Sequence, residues 1–242
     1  MVTGGTGAIG TEICKHLGAV GCRVVAVCRP ATIDCKGKEW EAARREDGYE
    51  MKVIGCDLTD FGATREIIHW VEENIGPIDI LVNAAGITRD APLRKMTEDQ
   101  WHQVLAANLD SVFNTTRNVI EGMTARGFGR IVNISSVNGQ KGQFGQSNYA
   151  ASKAAIHAFT MSIALEGARK GVTANTISPG YIDSPMIRAV PEEIRAKILE
   201  QIPVGRYGKP EEIGRAVAFI ASDDSGFITG ADLSINGGQY MR

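Results

Sequence analysis

The chain has 242 residues, 26 Lys and Arg against 28 Asp and Glu, a net charge of −2 and 43% hydrophobic residues. That supplies one sizeable core, and an α/β chain of this length forms a single domain. The balanced charge argues against a nucleic-acid or membrane-surface partner. No apolar run reaches bilayer length, and no basic stretch leads into an apolar one as in a secretion signal, so a cytoplasmic protein is expected.

The five cysteines, Cys14, Cys22, Cys28, Cys35 and Cys56, are odd in number and contain no Cys-x-x-Cys. They make neither a disulfide framework nor a zinc site, and read as small apolar residues in a reducing compartment. His16, His69, His102 and His157 show no metal-ligand spacing. His157, four residues after Lys153, reads as a packed or interface histidine.

Val2 to Gly10 reads as a strand end, a Gly-rich turn and a helix start, with Ile9, Ile13, Leu17 and Val20 at helical spacing. Only Met1 and Val2 precede the turn, fewer than a full central strand takes. Arg23 to Cys28 is a β-branched run and reads as a buried strand. Strand, Gly-rich turn, helix and strand form a βαβ unit whose turn lets the backbone approach a pyrophosphate at the helix N-terminus. A glycine cluster by itself is equally a plain tight turn; the strand and helix around it favour phosphate binding.

A polar loop is expected over Arg29 to Gly37, a short helix near Glu39 to Glu46, and a strand over Met51 to Cys56 that ends at Asp57. A helix from about Asp60 to Asn74 follows, closed by Gly76-Pro77. Ile78 to Val82 is a strand running into Asn83-Ala84-Ala85-Gly86. Thr97 opens a long helix with Trp101, Val104, Leu105, Leu109, Val112 and Phe113 on its apolar face. Gly129 to Ser136 is a strand with serines at its end. The Tyr149 helix runs to about Arg169, and the strand Val172 to Ser178 stops at Pro179-Gly180. Tyr181 to Gly208 reads as short helices over a cleft, Pro210 to Ser222 as a helix, and Asp232 to Ile235 as the last strand.

Seven strands alternate with helices, the pattern of a Rossmann-type doubly wound parallel sheet with helices on both faces. Ligands of such sheets bind beyond the carboxyl ends of the strands. The Gly-rich turn, Asp57, Asn83, Ser136 and Pro179-Gly180 all stand at those ends. Tyr149 and Lys153, four apart, share a helix face, and a nearby ammonium favours the phenolate and lowers a tyrosine pKa. Tyr-x-x-x-Lys alone equally describes an amphipathic helix with a half-buried ring and a solvated amine.

Taken together, Thr3-Gly4 to Gly10, Asn83-Ala84-Ala85-Gly86, Asn108, Ser136, Tyr149-x-x-x-Lys153 and Pro179-Gly180 resemble, in order and spacing, the short-chain dehydrogenase/reductase family across essentially the whole chain. Three positions depart from its usual pattern: Ala84 replaces an asparagine, Ala8 the middle glycine of the turn, and Ser184 a threonine. The resemblance implies a nicotinamide dinucleotide held by Gly4, Thr6, Gly7, Ile9, Gly10, Arg29, Asp57, Leu58, Asn83, Ala84, Ala85, Gly86, Tyr149, Lys153, Pro179, Gly180, Ile182 and Ser184. It implies catalysis by Asn108, Ser136, Tyr149 and Lys153. Asn108 is otherwise an ordinary surface asparagine, and Asp57 otherwise a strand-end cap.

An acidic residue about 20 positions past the turn would grip the ribose of NAD. Cys28 and Arg29 stand there instead, so NADP(H) is expected, unless Arg29 is merely solvated. The stretch Asn133 to Gln146 and the segments Gly86 to Asp90 and Arg94 to Met96 resemble family members that reduce 3-oxoacyl thioesters. The likeness implies an acyl pocket of Asp90, Ser136, Gln143, Phe144, Gln146, Tyr149 and Tyr181. It implies acetoacetyl-CoA as substrate, reduced toward polyhydroxybutyrate, with an acyl-carrier-protein thioester as the alternative carrier. A homotetramer is the family's habit. A dinucleotide-binding sensor or scaffold on the same fold is the non-enzyme alternative.

Overall fold

The computed structural model describes residues 1–241; the side chains of Cys35 and Met186 lie outside the described set. Seven strands form one all-parallel sheet in the order β3-β2-β1-β4-β5-β6-β7. They are β1 (Val2–Thr3), β2 (Val24–Cys28), β3 (Met51–Gly55), β4 (Ile80–Asn83), β5 (Gly129–Ile134), β6 (Val172–Pro179) and β7 (Asp232–Ile235). The order reverses direction at β1, which puts the Gly-rich turn at the switch point where such sheets open a crevice. β1 is only two residues long, but Met1 extends its ladder. The Met1 amine donates to the Ile80 carbonyl at 2.7 Å, and Val82 N donates to the Met1 carbonyl at 2.9 Å.

The helices are α1 (Ala8–Ala19), α2 (Pro30–Thr32), α3 (Lys38–Glu46), α4 (Phe61–Asn74), α5 (Glu98–Leu105), α6 (Ser111–Arg126), α7 (Val137–Lys141), α8 (Ser147–Gly167), α9 (Pro185–Arg188), α10 (Glu192–Glu200) and α11 (Pro210–Ile220). Strand side chains alternate between two cores. Val24, Ala26, Val82 and Val132 pack with Ile13, Leu17, Trp40, Ile213 and Val217. Val25, Val27, Leu81 and Ile131 pack with Ile68, Val71, Val119, Met123 and Ala164. Period-2 alternation within continuous apolar runs is what a sheet covered on both faces requires.

Several expectations change. Residues 30–37, expected as a polar loop, are helical: Pro30 starts α2 at its first position, and a π-helical turn over Ile33–Gly37 runs into α3. Val20 and Phe113, counted as apolar-face residues, are 66% and 47% exposed. The helix opened by Thr97, whose capping box with Gln100 is complete, divides into α5, a π-helical turn at Ala106–Asp110, and α6. β4 begins at Ile80 rather than Ile78, and β5 ends at Ile134, although Ser135 N still donates to the Ile177 carbonyl of β6 at 2.8 Å. Cys14, Cys28 and Cys56 are buried, and burial pushes the Cys14 thiol up to about 12. Among the described residues, no helix is long and apolar enough to cross a membrane.

Candidate active site

The turn after β1 is built for close backbone approach. Gly4 has φ +62°, and a Cβ there would lie 2.9 Å from Ala85 Cα. A Cβ on Gly10 would lie 2.2 Å from the Gly4 carbonyl oxygen. Gly7 caps α1 with no side-chain hydrogen bond, and the first turn of α1 carries no acidic residue. Its backbone N–H groups and the positive end of the helix dipole are therefore available to a phosphate. Thr6 and Ile9, in the same turn, are partly buried. Thr3 Oγ1 accepts from Ala84 N at 3.0 Å and from Ala85 N at 3.1 Å, which pins the Asn83–Gly86 loop against the glycines.

The expected cofactor residues stand around that crevice with different freedoms. Arg29 is exposed at the end of β2, where it caps α2. Asp57, exposed at the end of β3, accepts from Thr59 N and Thr59 Oγ1 through Oδ1, while Leu58 is buried. Asn83 turns its carboxamide into the sheet. Its Nδ2 donates to Asn133 Oδ1 at 2.8 Å and its Oδ1 accepts from Thr115 Oγ1 at 2.8 Å, which leaves only its backbone on the crevice side. Gly180 leaves no room for a side chain, since a Cβ would lie 2.8 Å from the backbone Cα of Asn236. Ile182 is buried, and Ser184 caps α9 through a bond from Ile187 N. The segment that follows Pro179-Gly180 is closed at its base, where Asp183 N donates to the Gly208 carbonyl and Gly208 N to the Tyr181 carbonyl.

Ser136, Tyr149, Lys153 and Asn108 come together beyond β4 and β5. Ser136 Oγ accepts from Asn138 N at 3.1 Å as the cap of α7 and is also hydrogen-bonded to the Tyr149 phenol. Burial raises the Tyr149 pKa above the ordinary tyrosine value; a hydrogen bond with Ser136 opposes this, and Asp90 and Tyr181 add to it. Burial lowers the Lys153 ammonium to about 8. Lys153 Nζ donates to the Ile134 carbonyl at 2.8 Å and lies 5.7 Å from the Tyr149 ring centre. The tyrosine pKa therefore goes up, not down as expected from the neighbouring ammonium: desolvation of the phenol leads, and the influence opposing it is the Ser136 hydrogen bond.

Asn108 is fully buried in the π-helical turn, which excludes the surface reading. It donates to the Ile87 carbonyl at 3.0 Å and to Ser152 Oγ at 3.1 Å, and accepts from Ile87 N at 2.8 Å. The wide turn aims the side chain across to α8 and the Gly86 loop, in keeping with the placement of π-bulges at functional sites. Gly86 packs over the pair: a Cβ there would lie 3.3 Å from Asn108 Oδ1 and 3.5 Å from Lys153 Nζ.

A second row leads outward from Ser136. Asn138 Nδ2 donates to Gln146 Oε1 at 2.8 Å, and Gln146 Nε2 donates to Asp90 Oδ2 at 2.7 Å. Tyr181 stands beside Asp90, with its pKa raised by burial first and by that carboxylate second. Gln143 is exposed and Phe144 is 86% exposed, so among the expected pocket residues these two form an outer rim. Sequence reading missed Thr3, Ser135, Asn138 and Ser152 as parts of this arrangement. Small polar residues next to a motif were the available signal, but only their partners reveal the role.

The crevice fits a nicotinamide dinucleotide: a bare helix N-terminus, glycines that no Cβ could replace, and a buried Tyr-Lys pair at the strand ends. The family described as enoyl-(acyl carrier protein) reductase matches residues 5–239. The acetoacetyl-CoA reductase of Allochromatium vinosum is 52% identical over 242 residues, all of this chain and 98% of that protein. That of Cupriavidus necator is 49% identical over 240 residues, 99% of this chain and 97% of that protein. The 3-oxoacyl-[acyl-carrier-protein] reductase of Haemophilus influenzae is 40% identical over 241 residues, all of this chain and 97% of that protein. From the Gly-rich turn to the last strand, the chain belongs to the short-chain dehydrogenase/reductase family of nicotinamide-dependent oxidoreductases.

Proposed function

We propose that this oxidoreductase reduces acetoacetyl-CoA to (R)-3-hydroxybutyryl-CoA with NADPH, the step that supplies a monomer for polyhydroxybutyrate. The observation that carries the reading is the continuous row Asp90–Gln146–Asn138–Ser136, ending against Tyr149. Several relatives about half identical over their full length are named acetoacetyl-CoA reductase.

A nicotinamide held in this crevice would supply a hydride to the substrate carbonyl carbon. Ser136 donates a hydrogen bond to the carbonyl oxygen and polarises it. Tyr149 gives that oxygen its proton; burial keeps the phenol protonated at neutral pH, the form that reduction needs. Lys153 holds the nicotinamide ribose and restores the tyrosine proton, and Asn108 fixes the loop and helix between which that proton returns. Asp90, Gln146 and Tyr181 hold the acyl group, with Gln143 and Phe144 at the mouth. Residues 181–208 cover the bound thioester within a single domain.

Gly4, Thr6, Gly7, Ile9 and Gly10 hold the pyrophosphate. Asp57 and Leu58 meet the adenine, and Asn83 to Gly86 follow the backbone of the cofactor. Pro179, Gly180, Ile182 and Ser184 meet the nicotinamide end. Arg29 selects the 2′-phosphate of NADPH, since no carboxylate stands at the end of β2. Exposed Met161 and Leu165 on α8, Phe113 on α6 and Phe219 on α11 are apolar surface that fits burial between subunits, and a homotetramer in the cytoplasm is the assembly proposed.

A spectrophotometric assay crossing NADPH and NADH with coenzyme A and carrier-protein thioesters tests this. Turnover of acetoacetyl-CoA with NADPH is expected. Turnover of carrier-protein thioesters alone overturns the carrier, and equal use of NADH overturns the cofactor.

A further inference from the structure

Side chains from α7, α8 and β6 converge on one carboxylate of β7. Asp232 Oδ1 accepts from Ser178 Oγ at 2.7 Å. Its Oδ2 accepts from Gln140 Nε2 at 2.6 Å and faces His157 Nδ1 at 3.5 Å. Across the imidazole, His157 Nε2 lies 3.0 Å from Ser135 Oγ, and Ser135 Oγ donates to the Lys153 carbonyl at 2.8 Å. The Asp232 and His157 side chains are 18% and 16% exposed.

Ser135 has one hydroxyl proton and gives it to the Lys153 carbonyl, so the proton between Ser135 and His157 comes from the ring. The other ring nitrogen faces Asp232 Oδ2, which brings α8 against β7 at this point.

The pair straddles a contact that has no side chain to define it. A Cβ on Gly139 would lie 2.8 Å from the Lys153 carbonyl carbon and 2.9 Å from Ala154 N. α7 thus rests backbone to backbone on α8 at Lys153. Asp232 holds α7 through Gln140, the residue after Gly139, and holds α8 through His157, one turn after Lys153. Ser136 caps α7, so the spacing of α7 and α8 is the spacing of Ser136 from Tyr149 and Lys153.

We propose that Asp232 and His157 are positioning residues for carbonyl reduction: they clamp α7 to α8 and so set where Ser136 stands relative to Tyr149 and Lys153. The inference rests on the reading of those three as the reacting groups. A displacement of about 1 Å in such a site costs about 100-fold in rate.

Asp232→Asn and His157→Gln in the full chain test it, through steady-state kinetics, NADPH binding by fluorescence, pH profiles and thermal unfolding. Expected are a fall in kcat of about tenfold or more in each and an NADPH Kd within about twofold of wild type. The double variant should be no slower than the slower single variant, because both break one clamp. The basic limb of the kcat/KM profile should move up, since a loosened α7 admits water to Lys153. Unchanged kcat and an unchanged pH profile in His157→Gln overturn the clamp, whether or not Asp232→Asn folds and whatever happens to the melting temperature. Tyr149→Phe is the control. Wild-type turnover there overturns the reacting groups and the clamp together, whereas a dead Tyr149→Phe beside an unimpaired Asp232→Asn overturns the clamp alone.

Discussion

Lys153 Nζ stands 5.7 Å from the centre of the Tyr149 ring while donating to the Ile134 carbonyl at 2.8 Å. The ammonium is thus anchored to the end of β5 and reaches the phenol from the side. Burial acts on the two groups in opposite directions, lowering the lysine pKa to about 8 and raising that of the tyrosine. At neutral pH the pair is an ammonium beside a neutral phenol, the form that can donate a proton.

Reduction should therefore depend on pH from the basic side. Lys153 keeps its charge below about 8 and loses it above. The kcat/KM for acetoacetyl-CoA should be level from pH 6.5 to 7.5 and decline as pH rises through about 8. A profile that stays level to pH 10 would rule out a role for the lysine charge.

The same group sets a stability trend. With its folded pKa below the ordinary 10.5, the folded chain releases this proton while the unfolded chain still holds it. Between about 8 and 10.5 the unfolded state binds more protons, so stability from this group rises with pH. The melting temperature of wild type relative to Lys153→Met should therefore improve between pH 7.5 and 9.5. A constant difference across that range contradicts the assignment.

Gly139→Ala should be harmful out of proportion to its size. The new methyl would meet the Lys153 carbonyl carbon at 2.8 Å, and both neighbours are backbone. Overpacking of this kind costs about 1–3 kcal/mol, and here it also displaces Ser136 from Tyr149. A kcat lowered by about tenfold or more is expected. Wild-type kcat in a folded Gly139→Ala protein would show that the spacing of α7 and α8 does not matter.

Arg29→Asp should reverse the choice of dinucleotide. A carboxylate at the end of β2 repels a 2′-phosphate and accepts from a ribose hydroxyl. The ratio of kcat/KM with NADPH to that with NADH should fall by about tenfold or more, given the size of hydrogen bonds to charged groups. An unchanged ratio would place the selectivity elsewhere.

Gln146→Leu cuts the row between Asp90 and Asn138, at bonds of 2.7 and 2.8 Å. Loss of a bond to a charged group costs about 1.5–3 kcal/mol, so the KM for acetoacetyl-CoA should rise by about tenfold or more. The KM for NADPH should stay within about twofold, because neither bond reaches the Gly-rich turn. Equal changes in both constants would mean general loosening.

What the sequence by itself determined rests on local periodicity and chain order. Apolar runs of period 2 and stripes of period 3.6 place the strands and most helices, and parallel topology then sends every strand-end residue to one edge. The Gly-rich turn, Ser136 and the Tyr149–Lys153 spacing were legible for that reason: each depends on residues within about one helical turn.

Tertiary structure decided what depends on distant partners. Asn108 looks like a helix-surface residue until the π-helical turn points it at Ile87 and Ser152. Asn83 sits in a recognisable loop motif, yet its side chain faces Asn133 on β5 and Thr115 on α6, because partners 50 and 32 residues away offer the better hydrogen bonds. The tyrosine pKa goes up rather than down because desolvation is set by everything packed around the ring, while spacing reports only one neighbour. His157 and Asp232 meet for the same reason: their contact depends on distance in space, and β7 reaches α8 only once the sheet is assembled.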